Sequence, residues 1–569
     1  MEIRRLVEEI AADKYPGCDY VRERVQKELD FLERTERFKE IETLVEVKEL
    51  VGEKQFFVSE GSLLVLYLLG LSVVNPMPAH YYNRNTKEII FDGSKNYGVD
   101  LPEKDGYVRD GFDIPEDYTI HQREPFYMET EIDTQHKNKV IELIKKKFEL
   151  KYDKRNFIES RIFKPEVVSE QEKITFCDTS IAFVDFKYKM GWYEAEEADE
   201  LREFAIKSFL KMRYLDSKIL RNVPHDEYER TTAMLKKIKS FDDVVYFRGR
   251  EDNKLEIKNK EFSDVSIKHI YPTNRQDVFK ILLENGYEIE KAAEVARELS
   301  FGKTYDFSNL NSSLGKYLSG ITMQFSKDAI VRIIIKLFII NKCEAERLSE
   351  AESELFKEWD KKYDCFISDG IVNFRQYAAA PLKITCILKE VNAIDGFKWS
   401  LTDFIKKGAC GATWNVVSRW TAGILFGKSF DEVEDIDEKK RKKYLAPISV
   451  INLKKTPGGA ESDDEVIAKF ARDDKENIKK ELELYDPDIV ICCGTGNVFA
   501  KEILEREHFE WTQVSKDVFY IWDNNRLIIY TWHPQQRAKG RDKEYMYEKI
   551  VPLIRNIIRD VGAYNGYRC

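Results

Sequence analysis

No C-x-x-C pair occurs anywhere in the 569 residues, although there are nine cysteines. Their number is odd and their spacing irregular, which argues against a disulfide framework and against a cysteine-rich metal site. Cys386, Cys492 and Cys493 sit in apolar runs and read as small buried hydrophobes. Long hydrophobic stretches are scarce as well. The longest, Leu63 to Val74, is too short to cross a bilayer, and Ile330 to Ile340 is broken by Arg332 and Lys336. The opening Met-Glu-Ile-Arg-Arg begins a charged amphipathic segment rather than a signal peptide, so a cytoplasmic location without membrane contact is expected. There is no tandem repeat and no long Pro/Gly-rich linker. An excess of positive charge is missing too. The net charge of -10 excludes a protein that coats nucleic acid non-specifically. It does not exclude a nucleic-acid enzyme, for which one basic face is enough.

The chain is long enough for two to four domains. Residues up to about 50 show helical spacing, as in Val21, Val25, Leu29 and Leu32. Turns at Asp92-Gly93, Asp105-Gly106 and Asp110-Gly111 punctuate short strands. Helical periodicity returns from Arg275 to Leu348. After Asp369-Gly370 the rhythm changes. Four apolar runs, Leu382 to Leu388, Ile448 to Leu453, Asp488 to Cys493 and Arg526 to Thr531, alternate with helical stretches. This pattern predicts an α/β, doubly wound parallel sheet. The expected division is 1–165, an α+β module; 166–365, a mixed and helical region; and 366–569, the α/β domain.

Ligands of parallel sheets bind beyond the C-terminal strand ends. Here those ends read Lys389-Glu390-Val391-Asn392-Ala393, then Asn452-Leu453-Lys454-Lys455-Thr456-Pro457, then Gly494-Thr495-Gly496, then Trp532-His533-Pro534. A carboxylate, an amide, a glycine turn and an imidazole can thus converge on one cleft. From Ile367 to Asp560 the order and spacing of these motifs resemble the uracil-DNA glycosylase superfamily, most nearly its thermophile-type family. That family has G-E-x-P-G, N-x-x-K-C-R-P-P, P-x-x-I-x-x-x-G and a final H-P. The sequence departs from it in two places. Thr456 stands where the family has an iron-sulfur cysteine, so no cluster and no other cofactor or metal is expected. Lys389 and Asn392 replace the first motif's glycine and proline.

The resemblance implies roles. His533 would stabilise the departing base. Asn452 would read the Watson–Crick edge of a flipped base. Glu390 would position or activate water and stabilise the cationic sugar, with Asn392 as the fallback for that water. Gly494 and Thr495 would approach the DNA backbone through main-chain amides. Lys389, Lys454, Lys455, Arg537, Lys539 and Arg541 would meet phosphates. Asn415 and Arg419, four apart on one helix face, would line the pocket or bind phosphate. Trp414 and Trp420 on the same stretch read as core.

Residues 20 to about 165 carry a second resemblance. Val58-Ser59-Glu60-Gly61-Ser62, Val74-Asn75-Pro76-Met77-Pro78-Ala79-His80-Tyr81 and Gly111-Phe112-Asp113-Ile114-Pro115 are similar to the palm-side region of PolC-type (C-family) replicative polymerases. Gln276-Asp277-Val278 and Ala293 to Lys303 echo that family's fingers. Its D-x-D metal pair reads Glu131-Ile132-Asp133 here, its glycine loop is shortened to Ser59–Ser62, and its zinc cysteines are absent. A Glu131/Asp133 pair can still hold magnesium, but a repurposed DNA-binding scaffold is the expected reading.

Together these features point to a monofunctional DNA glycosylase, since no lysine stands out as a Schiff-base nucleophile. In the most uracil-specific family a tyrosine closes the first motif and excludes 5-substituted pyrimidines. Ala393 occupies that place and leaves room. A bulky base such as glucosylated hydroxymethylcytosine of phage DNA would fit, as in anti-phage glycosylases of the bacteriophage-replication-inhibition type. Ordinary uracil repair and a catalytically dead DNA sensor are the alternatives.

Overall fold

The structure is a computed structural model that describes residues 3–52, 56–58, 63–121, 127–161, 164–186, 191–218, 238–252, 271–307, 309–310, 312–393, 398–459, 461–506, 508, 510–535 and 542–564. The chain divides into two units. One comprises Met1–Phe157, Val168–Phe209 and Arg230–Ile340; the other comprises Ile158–Val167, Leu210–Glu229 and Asn341–Cys569. No helix among the described residues is long and apolar enough to cross a membrane.

In the N-terminal unit, helices Ile3–Lys14, Asp19–Arg34 and Phe38–Val51 bury Val7, Val25, Leu29, Leu44 and Val47 in one core with the helix Leu64–Leu68. A buried ion pair organises it. Arg24 meets Glu28 at 2.9 Å, one turn along the same helix. Arg24 also donates to the carbonyls of Pro76 at 3.1 Å and Ile114 at 3.0 Å. The two motif segments of this region therefore meet on one guanidinium. They are zipped further by Phe112 N–H to Asn75 O, 2.9 Å, and Asp113 N–H to Met77 O, 2.8 Å. Gly111, at φ +96, lies so close to the Pro78 carbonyl that a Cβ would overlap it, so glycine is required there. The strands before Asn341 are β1 (Phe56–Val58), β2 (His80–Tyr82), β3 (Ile89–Phe91), β4 (Val108–Asp110), β5 (Met128–Asp133), β6 (Lys151–Arg161), β7 (Lys164–Phe176) and β8 (Thr179–Val184), with Ile158–Val167 of β6 and β7 assigned to the other unit. They form a three-stranded sheet, β3-β2-β4, and a five-stranded one, β1-β5-β8-β7-β6.

The C-terminal unit adds β9 (Ile367–Ser368), β10 (Gly370–Ile371), β11 (Ile384–Leu388), β12 (Val391–Asn392), β13 (Trp399–Ser400), β14 (Ile448–Asn452), β15 (Pro457–Gly458), β16 (Ile489–Cys493), β17 (Thr512–Ser515), β18 (Val518–Asp523) and β19 (Arg526–Thr531). Its main sheet runs β10-β14-β11-β16-β19-β18-β17. The four expected strands are its parallel centre. β11, β14 and β16 are buried at every position, as continuous apolar runs covered on both faces should be. Their side chains alternate between two cores. Ile384, Cys386, Val450, Ile491 and Ile529 join the core that holds Trp414 and Trp420, as expected of those tryptophans. Ile387, Ile451, Val490, Cys492 and Ile528 join the core on the other face, with Ile467, Ile478 and Leu482. The chain is thus mixed α/β, with helices on both faces of a partly parallel sheet.

Three flanking strands, β10, β17 and β18, are antiparallel, which the sequence pattern did not predict. The β18–β19 hairpin turns on Asn524 and Asn525, both at positive φ (47° and 63°), the conformation a two-residue hairpin turn needs and asparagine tolerates. In chain order the parallel strands lie 2-1-3-4, so the connections leave in opposite directions on either side of β11 and β16. A crevice is expected between their carboxyl ends.

Candidate active site at the strand ends

Four strand ends separated by three spacings of ~4.8 Å lie within roughly 15 Å of each other. Asn452 is the last residue of β14, paired across the sheet with Leu388. It is fully buried, and neither its Nδ2 nor its Oδ1 has a hydrogen-bond partner among the described residues. Leaving such atoms unpaired costs about 1–3 kcal/mol each, so a donor-plus-acceptor ligand edge would be strongly held. Its backbone N–H donates to Asp369 Oδ2 at 2.5 Å.

Asp369 opens a buried polar cluster. Lys455 Nζ donates to Asp369 Oδ1 and Oδ2 (2.7 and 2.9 Å) and to Glu481 Oε2 (2.6 Å), and lies 4.5 Å over the Trp359 ring. Tyr485 Oη sits 2.6 Å from Glu352 Oε2 and 3.0 Å from Glu481 Oε1. A phenol has one proton, so one of these carboxyls must carry its own. Burial duly raises both Glu481 and Glu352, the latter to about 7. Lys455 was expected to meet DNA phosphate. That expectation is corrected: the side chain is fully buried and its ammonium is shared between the carboxyl groups of Asp369 and Glu481.

Lys454, the neighbouring residue, bonds Glu390 Oε2 at 2.5 Å and the Pro457 carbonyl at 2.7 Å. Glu390 packs on Gly458, where any Cβ would overlap its carboxylate. It thereby holds β12 against β15, which pair in parallel through Val391–Pro457 and Asn392–Gly458. The Glu390 side chain is only 6% exposed, so the carboxylate is committed to Lys454 rather than open to water, and Lys454 is likewise not free for phosphate. Asn392 is exposed. Ala393 is partly buried against the core.

His533 follows β19 and abuts Gly494, whose Cβ position would lie 3.2 Å from the His533 backbone nitrogen. Gly494 takes φ +74 and donates to the Thr531 carbonyl at 2.8 Å. Thr495 Oγ1 donates to the Ile387 carbonyl at 2.9 Å, tying the β16 end to β11. The Gln535 N–H donates to His533 Nδ1 at 3.2 Å. Nδ1 is therefore an acceptor, and the neutral ring carries its proton on Nε2. Burial, and secondarily the nearby Lys389 charge, hold the imidazole below its ordinary 6.5. Lys389 itself meets Asp464 at 2.6 Å. Asp517, which sequence reasoning missed, accepts from Trp532 Nε1 at 2.7 Å and from Tyr545 Oη at 2.5 Å, fixing the residue before His533.

Arg419 is buried, and its guanidinium donates to the carbonyls of Val433 (3.0 Å) and Glu434 (2.8 Å). It holds the fold, which corrects the phosphate-binding expectation. Asn415 Oδ1 accepts from Arg441 Nη1 at 3.0 Å. Arg537, Lys539 and Arg541 lie outside the described residues. Cys386, Cys492 and Cys493 are buried inside β11 and β16.

In the N-terminal unit Glu131 is ion-paired with Lys336 and with Arg155, the latter at 2.8 Å. Both cations lower its pKa against the effect of burial. Asp133 Oδ1 accepts the Gln135 N–H at 2.9 Å. The Glu131 carboxylate is thus already paired with two cations. The shortened Ser59–Ser62 loop lies outside the described residues.

One stretch of the chain is similar to PolC-type DNA polymerase III. Over 74 residues, 12% of this chain, it is 46% identical to the DNA polymerase III PolC-type of Streptococcus suis and 45% identical to that of Streptococcus agalactiae. Over 76 residues it is 42% identical to that of Caldanaerobacter subterraneus subsp. tengcongensis. The match spans about 5% of the length of these relatives. It supports the PolC-like reading of the N-terminal region. No family model matches the chain.

Two outcomes follow from the buried cluster. Lys455→Met leaves Asp369 and Glu481 without a counter-charge, so it should lower stability by about 3–5 kcal/mol, read by urea denaturation. Glu352 has a folded-state pKa above its ordinary 4.5. It therefore contributes stability that is full below pH 4.5 and lost as the pH rises through about 7. Glu352→Gln should flatten that part of the melting temperature against pH curve. An unchanged curve would mean that Glu352 does not titrate there.

Proposed function

We propose that the C-terminal unit is a monofunctional DNA glycosylase of the uracil-DNA glycosylase type, which hydrolyses the N-glycosidic bond of a flipped pyrimidine and leaves an abasic site. The observation that carries this reading is Asn452: a fully buried amide, unpartnered at both polar atoms, at the carboxyl end of a central parallel strand. Folding strands such a group only at a cost, and the edge of a nucleobase repays it by offering both an acceptor and a donor.

The bond from C1′ to the base breaks with its electron pair leaving on the base. His533 Nε2–H donates to the ring carbonyl as negative charge grows there. The Lys389 ammonium adds favourable potential. Water then adds to C1′ of the cationic sugar and gives up its proton to solvent. Asn392, exposed beside the site, orients that water, while Glu390 keeps the β12–β15 joint in place through Lys454. Ala393 leaves space beside carbon 5 of the pyrimidine. The substrate we favour is accordingly a cytosine with a large 5-substituent, such as the glucosylated hydroxymethylcytosine of phage DNA, in an anti-phage role. The N-terminal unit, with its Glu131 carboxylate already neutralised, serves in this reading as a DNA-binding scaffold and not as a polymerase.

His533→Ala should reduce single-turnover base release by about 10²–10³ with little change in the melting curve. Near-wild-type release by the folded variant would sink the assignment. Ala393→Tyr should suppress release of the glucosylated base far more than release of uracil, because the added ring clashes only with a 5-substituent. If the wild-type protein excises uracil and leaves glucosylated phage DNA intact, by mass spectrometry of released bases, uracil repair replaces the anti-phage reading.

A further inference from the structure

The N-terminal unit contains a cavity of about 400 Å³ that plays no part in the reaction above. None of its lining residues among the described ones belongs to β5, which carries Glu131 and Asp133. The lining is rich in aromatic rings: Tyr15, Tyr67, Tyr82, Trp192 and Tyr193 all contribute, with Lys14 among them.

The polar groups of this cavity fall into two sets. One set is satisfied. Asp110 accepts from Tyr67 Oη at 3.1 Å and Asn75 Nδ2 at 2.7 Å through Oδ2, and from the Gly111 N–H at 2.8 Å through Oδ1. The other set is not. The Tyr193 hydroxyl is buried and has no hydrogen-bond partner among the described residues. Lys14 Nζ has one, Tyr67 Oη at 3.2 Å, and rests 4.3 Å over the Tyr67 ring and 5.5 Å from the Tyr15 ring, with the charges of Asp110 and Glu194 acting on it from farther off. No carboxylate among the described residues lies within ion-pair distance of it. An ammonium has three donors, so two are unspent. Lys14 and Tyr193 can both donate into the cavity, while Asp110, which also lines it with Glu194, already accepts three hydrogen bonds. At the rim, Arg84 is exposed, and its partners Glu194 and Glu196 are exposed too; such pairs are weak and readily exchanged.

The complementary ligand has a flat face for the rings, carbonyl oxygens for Lys14 and Tyr193, and an anionic group for Arg84. The size fits one small ligand and no more. We propose that this cavity binds a single pyrimidine nucleotide, its ring carbonyls on Lys14 and Tyr193 and its phosphate toward Arg84. A thymine or uracil ring presents two carbonyls, an adenine ring none, so the donor set selects between them. Stacking on the aromatic rings supplies sequence-tolerant affinity, and the donors supply the choice of base.

The nucleotide can be free or part of a DNA strand, and titration calorimetry on the full-length protein separates the two. dTMP should bind at one site per chain, and dAMP at least about tenfold more weakly. Tyr193→Phe, which keeps the ring and removes only the hydroxyl, should weaken dTMP by about 2–10-fold. Lys14→Met, which removes a charged donor, should weaken it by about 10–100-fold. Competition of dTMP by a thymidine hexanucleotide assigns the site to strand DNA; failure to compete assigns it to the free nucleotide. Melting curves establish that both variants are folded, and the near-isosteric Tyr193→Phe carries the test if Lys14→Met is not. No binding of dTMP at millimolar concentration, or affinity unchanged in folded Tyr193→Phe, would overturn the proposal. Since nothing in this experiment involves base excision, its outcome is independent of the glycosylase reading.

Discussion

A single buried ammonium governs the geometry of the strand ends. Lys455 lies just past β14, fully enclosed, and its three donors go to Asp369 and Glu481. Asp369 in turn accepts the Asn452 backbone N–H. The position of the unpartnered amide therefore depends on a charge two bonds of the network away. A buried ion cluster of this kind is weak evidence for stability, because desolvation offsets most of the attraction. Its value here is positional. Removing any one member leaves a neighbour charged or unpaired in a low-dielectric interior, so the members hold one another to one arrangement.

The same logic extends through Tyr485 to Glu352, which accepts the Ile371 N–H at 2.9 Å. Gly370, at φ +105, passes so near Glu352 and Tyr485 that no side chain fits there. The short antiparallel strand β10 is thus pinned at both of its residues, and β9 just before it is pinned through the Ile367 N–H to the Lys455 carbonyl, 2.9 Å. Among the described residues Lys455 is the only cation the cluster's hydrogen bonds include, and burial raises both Glu481 and Glu352, so protons on the two glutamates bring the cluster toward neutrality without a second cation. That is the condition under which three carboxyl groups and one lysine tolerate full burial.

Much of this was legible in the sequence, and the failures have physical causes. The central parallel strands announce themselves because both faces are covered, which forces uninterrupted apolar runs. β17 and β18 lie toward the edge, and their exposed positions dilute the signal. Lys454 and Lys455 look alike as a dipeptide. Both follow the end of β14, yet one ammonium braces Glu390 while the other is swallowed by the core. Sequence spacing cannot tell a phosphate-binding lysine from a buried counter-charge when its partners, Asp369 and Glu481, are 86 and 26 residues away. Arg419 failed for the same reason: its partners are main-chain carbonyls, which no motif records. The placement of Asn452 and His533 at strand ends was legible because the apolar runs before them mark where β14 and β19 stop.

The state of His533 bears on how the proposed reaction would discriminate transition state from ground state. A charged imidazolium would attract the phosphates of any DNA and so lower both states together, which speeds nothing. Burial and the Lys389 charge instead keep the ring neutral, and the Gln535 N–H fixes the proton on Nε2. A neutral donor interacts modestly with an uncharged carbonyl and more strongly as that oxygen gains charge. The gain is therefore concentrated where bond breaking occurs. Asn452 contributes to the other half of the problem. In the proposed reaction its unpaired atoms would reward only a base that had left the helix and entered the site, so the recognition energy would be released on flipping and the imidazole would act on the base the amide had accepted.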